Sequence, residues 1–226
     1  MREPHEQTSP RFRAIAFDLL TALMDSWSFW IDITGSEDLG RKWRRESLRR
    51  VTSAGMYRPY EQIVHESAAA VGVGANQAHS LLERWASGAL RPWPETTSVL
   101  AQLAAQGWTT AVVTNCSQRL AEPAAANTGH RFDVIVSAER AGAYKTDPLA
   151  YQAGLVALGN LQPSDLLFVA GSPHDVPGAG AVGMPVYWSN RFSDPVISGA
   201  PCPLFNEPNL LKLPVLLTQG PIREGA

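Results

Sequence analysis

The sequence predicts an α/β fold, a Rossmann-like parallel sheet carrying an inserted small helical cap. Three observations predict it. Short, mostly apolar runs recur: AIAFDLL (14–20), TTAVVTN (109–115), FDVIVSA (132–138), LLFVAG (166–171) and MPVYWS (184–189). Such runs mark strands buried on both faces, as in a parallel sheet. Helix-like segments alternate with them, the order that places helices on both faces of such a sheet. Finally, about 90 residues separate the first run from the second, far beyond an ordinary crossover.

Each element has its own signal. Residues 1–12 read as a polar tail. PETTSVLAQLAAQG (94–107) carries apolar residues at helical spacing and stops at Gly107. SQRLAEPAAANTG (117–129) is a weaker helix, interrupted at Pro123. DPLAYQAGLVALGN (147–160) opens with a capping Asp147 and a proline in the first helical position. The segment 24–93 shows no convincing strand; it holds Trp27, Trp30, Trp43 and Trp85, and QAHSLLERWASGAL (77–90) is amphipathic. The expected division is a core of 12–23 and 94–226 with a cap of 24–93. Proline-rich SDPVISGAPCPLFNEPNLLKLP (193–214) is expected to wrap the surface, with LFNEPNLLKL closing the sheet edge.

Composition bounds the function. The chain has 226 residues, 45% hydrophobic and 18% charged, with a net charge of -2, as ordinary globular proteins do. There is no basic arm for nucleic acid, and the local run RKWRRESLRR (41–50) reads first as a solvated helix face. No stretch is apolar enough to span a membrane, and the first residues have no signal-peptide core. Two cysteines, Cys116 and Cys202, build neither a disulfide framework nor a zinc cluster, so a cytoplasmic protein with reduced thiols is expected.

Four chemical features fall near the carboxyl ends of expected strands: Asp18, Thr114-Asn115, Lys145, and GSPHDVPGAGAVGMP (171–185) with its Asp175. Ligands of open parallel sheets bind beyond those ends. Singly, an acid there is most often a cap and a lysine most often surface; their joint order points to a site. A carboxylate nucleophile can form an ester with carbon or phosphorus. A neighbouring ammonium keeps it ionised, and a second acid can direct the water that hydrolyses the ester. Hydroxyl and amide groups at Thr114, Asn115 and Cys116 can hold a substrate anion.

In these segments the chain resembles the haloacid dehalogenase superfamily, and within it the L-2-haloacid dehalogenase branch. FDLLTALMDSW, VVTNCSQ, YKTDPLAY and FVAGSPHDVPGAGAVGMPVYWSNR are similar to its four motifs. The resemblance implies Asp18 as nucleophile, Lys145 and Asp175 as its partners, and Tyr151, six residues after Lys145, as in the dehalogenases. It also implies Arg44, in Trp43-Arg44-Arg45, as the leaving-group arginine. Phosphatases of the superfamily carry an acid two residues after the nucleophile and another in motif four. Here those positions are Leu20 and Gly171. Magnesium wants several hard oxygen ligands, so metal-independent chemistry at carbon, with no cofactor, is expected.

The match to the dehalogenases departs at the pocket. Leu20 stands where they have an aromatic hydroxyl, Ser172 where they have an asparagine, and His174 where they have a tryptophan. Thr21 is shifted by one, which puts its reach to the nucleophile in question. The leaving group is therefore open between a halide and the ring nitrogen of a strained ring, as in azetidine-2-carboxylate hydrolase. A phosphatase or a non-catalytic binding protein are the further alternatives. One or two of Trp27, Phe29, Trp30 and Trp43 are expected to face the site. The expected partners are a small carboxylic acid substrate and, by resemblance, a second copy of the chain in a homodimer, with no nucleic acid and no membrane.

Overall fold

The computed structural model describes residues 12–218. Six strands form one wholly parallel sheet: β1 (Ala14–Phe17), β2 (Thr109–Thr114), β3 (Val134–Ser137), β4 (Leu166–Ala170), β5 (Val186–Ser189) and β6 (Phe205–Glu207), in the order β3-β2-β1-β4-β5-β6. β1 lies centrally, pairing with β2 on one side (Phe17 with Val112) and β4 on the other (Phe17 with Val169). The direction of winding reverses there, which opens a crevice at the carboxyl ends of the strands. All five expected runs became strands. The expected edge closure is β6, laid parallel to β5 from within the 204–213 segment.

Strand residues alternate between two cores, as the pleat requires. Ile15 and Phe17 of β1 join Val112, Leu167, Val169 and Tyr187 on one face. Ala14 and Ala16 join Ala111, Val113, Phe168 and Trp188 on the other. The first face is covered by α5 (Thr96–Ala105) and α6 (Gln118–Ala126). The second packs against α8 (Pro148–Ala157) and α9 (Asp175–Val182). Asp147 caps α8 through the Leu149 amide, as expected. Pro123 does not interrupt α6, which runs through it. Packing of Leu120, Ala121, Ala124 and Ala125 into the core outweighs the lost backbone bond. A short α7 (Ala138–Ala141) follows β3, and α10 (Leu213–Thr218) ends the described chain.

The insert after β1 is helical: α1 (Ser26–Thr34), α2 (Glu37–Ala54), α3 (Tyr60–Val71) and α4 (Ala75–Ala86). Its two connections meet in a single antiparallel bridge, Met24 with Pro92, flanked by Asp25 N–H to Arg91 O and Trp93 N–H to Leu23 O. Further seams tie it to the sheet domain. Met56 bridges Ala143, the Tyr144 hydroxyl donates to Arg58 O at 2.7 Å, and Trp85 Nε1 donates to Leu120 O at 3.1 Å. The basic run 41–50 lies on α2, and its solvated face is real: Lys42, Arg45 and Arg49 are exposed. Trp43, Arg44, Ser47 and Val51 point inward instead. Among the described residues no helix is long and apolar enough to cross a membrane.

Candidate active site

The site begins where β1 ends. Asp18 keeps the sheet's pairing through its N–H to Val169 O, then the chain turns into a wide helical turn, Leu19–Leu23. Asp18 caps that turn: its Oδ2 accepts from Thr21 N (2.8 Å), Ala22 N (3.1 Å) and Thr21 Oγ1 (2.6 Å). Thr21 therefore does reach the nucleophile position. The wide turn swings its hydroxyl back onto the capping carboxylate, which linear spacing did not reveal. The other oxygen, Oδ1, accepts from Lys145 Nζ at 2.8 Å.

Lys145 stands between two acids. Its Nζ also donates to Asp175 Oδ2 at 3.1 Å, and the Tyr151 hydroxyl donates to Asp175 Oδ1 at 2.8 Å. Asp18, Lys145 and Asp175 are at most 5% exposed. Ions so deeply buried persist only when paired and hydrogen-bonded. Burial alone would raise the Asp18 pKa, but the Lys145 charge and the bonds from Lys145 and Thr21 outweigh it, holding the carboxyl below its ordinary range. Asp175 moves the other way: burial, with the Asp18 charge behind it, outweighs Lys145. Burial tends to lower the Lys145 pKa; its two carboxylate neighbours raise it above the ordinary value. The two acids thus differ in affinity for a proton, which suits one to nucleophilic attack and the other to proton transfer.

The supporting residues are local consequences of the fold. Asn115, following β2, grips the Lys145 backbone at both ends: Lys145 N–H donates to Asn115 Oδ1 (2.7 Å) and Asn115 Nδ2 donates to Lys145 O (2.9 Å). Gly178 on α9 makes room for Tyr151, since a Cβ there would stand 2.4 Å from the Tyr151 hydroxyl.

A cavity of about 340 Å³ opens over these groups, between sheet and insert. From the sheet side it is lined by Asp18, Leu20, Thr21, Asn115, Lys145, Thr146, Ser172, His174 and Asp175. From the insert come Arg44, Arg45, Leu48, Arg49, Val51 and Thr52 on α2, and Tyr60 on α3. Arg44 is 2% exposed; its guanidinium lies 5.7 Å from the Trp27 ring and 5.5 Å from the Trp30 ring, and its Nη2 donates to Ser26 Oγ at 3.3 Å. Stacking of this kind suits arginine and holds its charge away from water.

Most residues singled out from sequence meet here. His174 lines the mouth, with its side chain largely exposed. Three are placed differently from the substrate-holding role expected of them. Thr114 and Cys116 are buried outside the cavity lining and face each other, Oγ1 to Sγ, at 3.6 Å, with burial pushing the Cys116 thiol up to about 12. Tyr151 lies outside the lining and acts on Asp175. None of Trp27, Phe29, Trp30 and Trp43 lines the cavity; Trp27 and Trp30 reach it only through Arg44. Trp43 is turned into the insert, donating to Ser67 Oγ at 3.0 Å. The sequence reading missed Tyr60, Leu48, Val51 and Thr52. The positions 44, 48, 51 and 52 share one helix face, a signal hidden by the charges between them.

A chain of similar fold, the HAD-hydrolase YfnB of Bacillus subtilis (16% identical, TM-score 0.76), has been solved bound to magnesium. The donor set here does not fit that ion. Among the described residues no three acids, histidines or cysteines converge. Both site carboxylates are taken up by Lys145, and a side chain at Gly171 would collide with the Thr21–Ala22 backbone.

The family profile described as haloacid dehalogenase-like hydrolase matches residues 12–183. The haloacetate dehalogenase H-2 of Moraxella sp. (strain B) is 30% identical over 199 residues, covering 80% of this chain and 87% of its own. The (S)-2-haloacid dehalogenase 1 of Pseudomonas sp. (strain CBS-3) is 30% identical over 201 residues, 81% of this chain and 86% of its own. In fold, the L-2-haloacid dehalogenase of Xanthobacter autotrophicus superposes with a TM-score of 0.81 at 23% identity, over 92% of this chain and 98% of that one. With a family model matched over residues 12–183 and relatives 30% identical over four fifths of its length, the chain belongs to the haloacid dehalogenase-like hydrolase family.

Proposed function

We propose that the protein is a metal-independent hydrolase of small 2-substituted carboxylic acids, working through an ester on Asp18. The observation that carries this reading is the Asp18 carboxylate: buried, held ionised by Lys145, and facing a cavity that also contains a buried arginine. Its Oδ2 already accepts three hydrogen bonds, whereas Oδ1 accepts one. Oδ1 is therefore the oxygen with a lone pair free to attack.

In the first step Oδ1 attacks C2 from the side opposite the leaving group, which departs with the bonding electron pair; C2 inverts. In the second, water adds to Asp18 Cγ and gives one proton to Asp175; the bond between Cγ and the substrate oxygen then breaks, that oxygen takes the second water proton, and Asp175 releases its proton to solvent. A 2-hydroxy acid leaves, and one Asp18 oxygen now comes from water. Asp175, with its raised pKa and its place on the cavity wall, is the better proton acceptor of the two acids. The insert serves as the cap that closes the reacting atoms from bulk water. Support comes also from the relatives, which by name dehalogenate haloacetate and 2-haloacids.

The test is single-turnover reaction in oxygen-18 water, with EDTA, against 2-haloacids and azetidine-2-carboxylate. Label in Asp18 and an unlabelled product hydroxyl are expected, and Asp18→Asn abolishes turnover. Label entering the product directly, or loss of rate with EDTA, overturns the reading. So does magnesium-stimulated hydrolysis of phosphate monoesters as the main activity, or ligand binding with no turnover at all.

A further inference from the structure

The turn Leu19–Leu23, which carries the backbone and hydroxyl donors for Asp18, is held from behind. Its last three carbonyls are each met by a residue from elsewhere in the chain, since the carbonyls at the end of a helical turn need outside partners. Thr21 O accepts from Trp93 Nε1 at 3.0 Å, and Ala22 O accepts from Arg191 Nη2 at 3.4 Å. Leu23 O accepts from the Trp93 N–H at 3.0 Å and from Thr96 Oγ1 at 2.8 Å. Trp93 thus grips the turn twice, with its backbone and with its indole, yet it lies outside the cavity lining.

The indole is itself fixed. The Arg191 guanidinium lies 4.5 Å from the Trp93 ring centroid, and Arg191 is ion-paired with Glu95, two residues after Trp93. A cation over the face of an indole holds the ring through its quadrupole and draws electron density from it, which makes the N–H a stronger donor. The carbonyl that this N–H meets is a particular one. Thr21 O and Ala22 N–H are the two ends of one trans peptide group, so they point in opposite directions. Ala22 N–H donates to Asp18 Oδ2 at 3.1 Å. The bonds therefore run in series, from the indole to Thr21 O and from Ala22 N–H to the Asp18 carboxylate. Hydrogen bonds in such a chain polarise one another, and more so away from water. Gly171 packs against the same peptide group and limits its tilt.

Resting on the reading above, we infer that Trp93 is a positioning residue for the nucleophile: through the Thr21–Ala22 peptide group its indole N–H orients and strengthens a hydrogen bond on Asp18 Oδ2. With Oδ2 held in this way, the carboxylate is fixed with Oδ1 as its attacking oxygen. Trp93 acts only through the turn. No proton moves along the series; each donor keeps its own.

Two variants of the full chain test this. Trp93→Phe keeps a ring beneath Arg191 and loses the N–H. Site-specific incorporation of 3-benzothienylalanine at position 93 keeps the two-ring shape and exchanges only the N–H for sulfur, so it decides the matter if the phenylalanine variant melts early. The first readout is the Ala22 amide proton in the proton–nitrogen NMR spectrum, which needs no substrate. It should move upfield in both variants as its bond to the carboxylate weakens. The second is single-turnover ester formation with the acid that labels Asp18. Its maximal rate should fall about threefold to tenfold, the scale of one hydrogen bond, at an unchanged half-saturating concentration. Its acid limb should move to higher pH, because a less well held carboxylate takes up a proton more readily. A rate scaled down alike at every pH, with a lowered melting temperature, marks a merely structural role and overturns the proposal. So does an Ala22 amide that stays in place in the 3-benzothienylalanine protein, or a loss confined to the half-saturating concentration. An upfield shift in a protein whose Asp18 takes up no label would instead overturn the proposed function and leave the hold of Trp93 on Asp18 standing.

Discussion

Gly171 and Ala22 are packed backbone to backbone: a Cβ on Gly171 would stand 2.2 Å from the Ala22 amide nitrogen and 2.6 Å from Thr21 Oγ1. That amide and that hydroxyl are two of the three donors on Asp18 Oδ2. The position at which phosphatases of the superfamily carry a metal-binding acid is thus used here to press the turn capped by Asp18 against the end of β4. Gly171→Asp should cost about 3 kcal/mol of stability by forcing that turn away, and should create no magnesium-dependent phosphatase. Thermal melts and assays of phosphate monoesters with magnesium check both parts.

Thr21→Val keeps the shape of the side chain and both backbone donors but removes the 2.6 Å hydroxyl bond to Asp18. The remaining charge is less well held, and the carboxyl's pKa should rise toward its ordinary value. Ester formation should slow about tenfold, the scale of one hydrogen bond to a charged group. Single-turnover rates measured against pH separate the loss of alignment from the change in ionisation.

Asp175 depends on Tyr151. Tyr151→Phe removes the 2.8 Å bond to Oδ1 and should slow ester hydrolysis more than ester formation, by about tenfold to a hundredfold. Gly178→Ala should reproduce that defect without touching either residue, because its methyl would stand 2.4 Å from the Tyr151 hydroxyl. Accumulation of the covalent adduct, seen by intact-protein mass spectrometry, checks both variants.

The pH dependence follows from the opposed shifts of the two acids. Asp18 is depressed, so the stability it contributes is complete above the ordinary aspartate range and is lost only as pH falls through its lower folded value. Lys145 is raised, so its contribution is complete below the ordinary lysine range and is lost as pH rises through its higher folded value. Asp175 is raised and therefore protonates first on acidification. The acid limb of ester hydrolysis should lie above the ordinary aspartate range, while ester formation persists to lower pH. Lys145→Met should raise the Asp18 pKa and move the acid limb of ester formation upward. Stopped pH–rate profiles of the two steps check this, and coincident acid limbs in the wild type would contradict it.

The sequence by itself determined the architecture and the place where its charged residues converge. Apolar runs buried on both faces left a parallel sheet as their only economical use, and residues placed at strand ends converge at the crevice whatever the details of the loops. Asp18, Lys145 and Asp175 were legible for that reason, and Leu20 and Gly171 were legible as departures from motifs. The tertiary structure decided the pocket wall. Arg44 and Tyr60 lie on different helices, and nothing in local spacing says that α2 and α3 pack so as to aim both at Asp18. Thr21 contacts the carboxylate through a wide turn that linear counting places out of register. Asn115 and Tyr151 hold Lys145 and Asp175 in place, because hydrogen-bond partners are chosen by three-dimensional proximity. Periodicity reports which face of a helix is buried; only packing reports what that face meets.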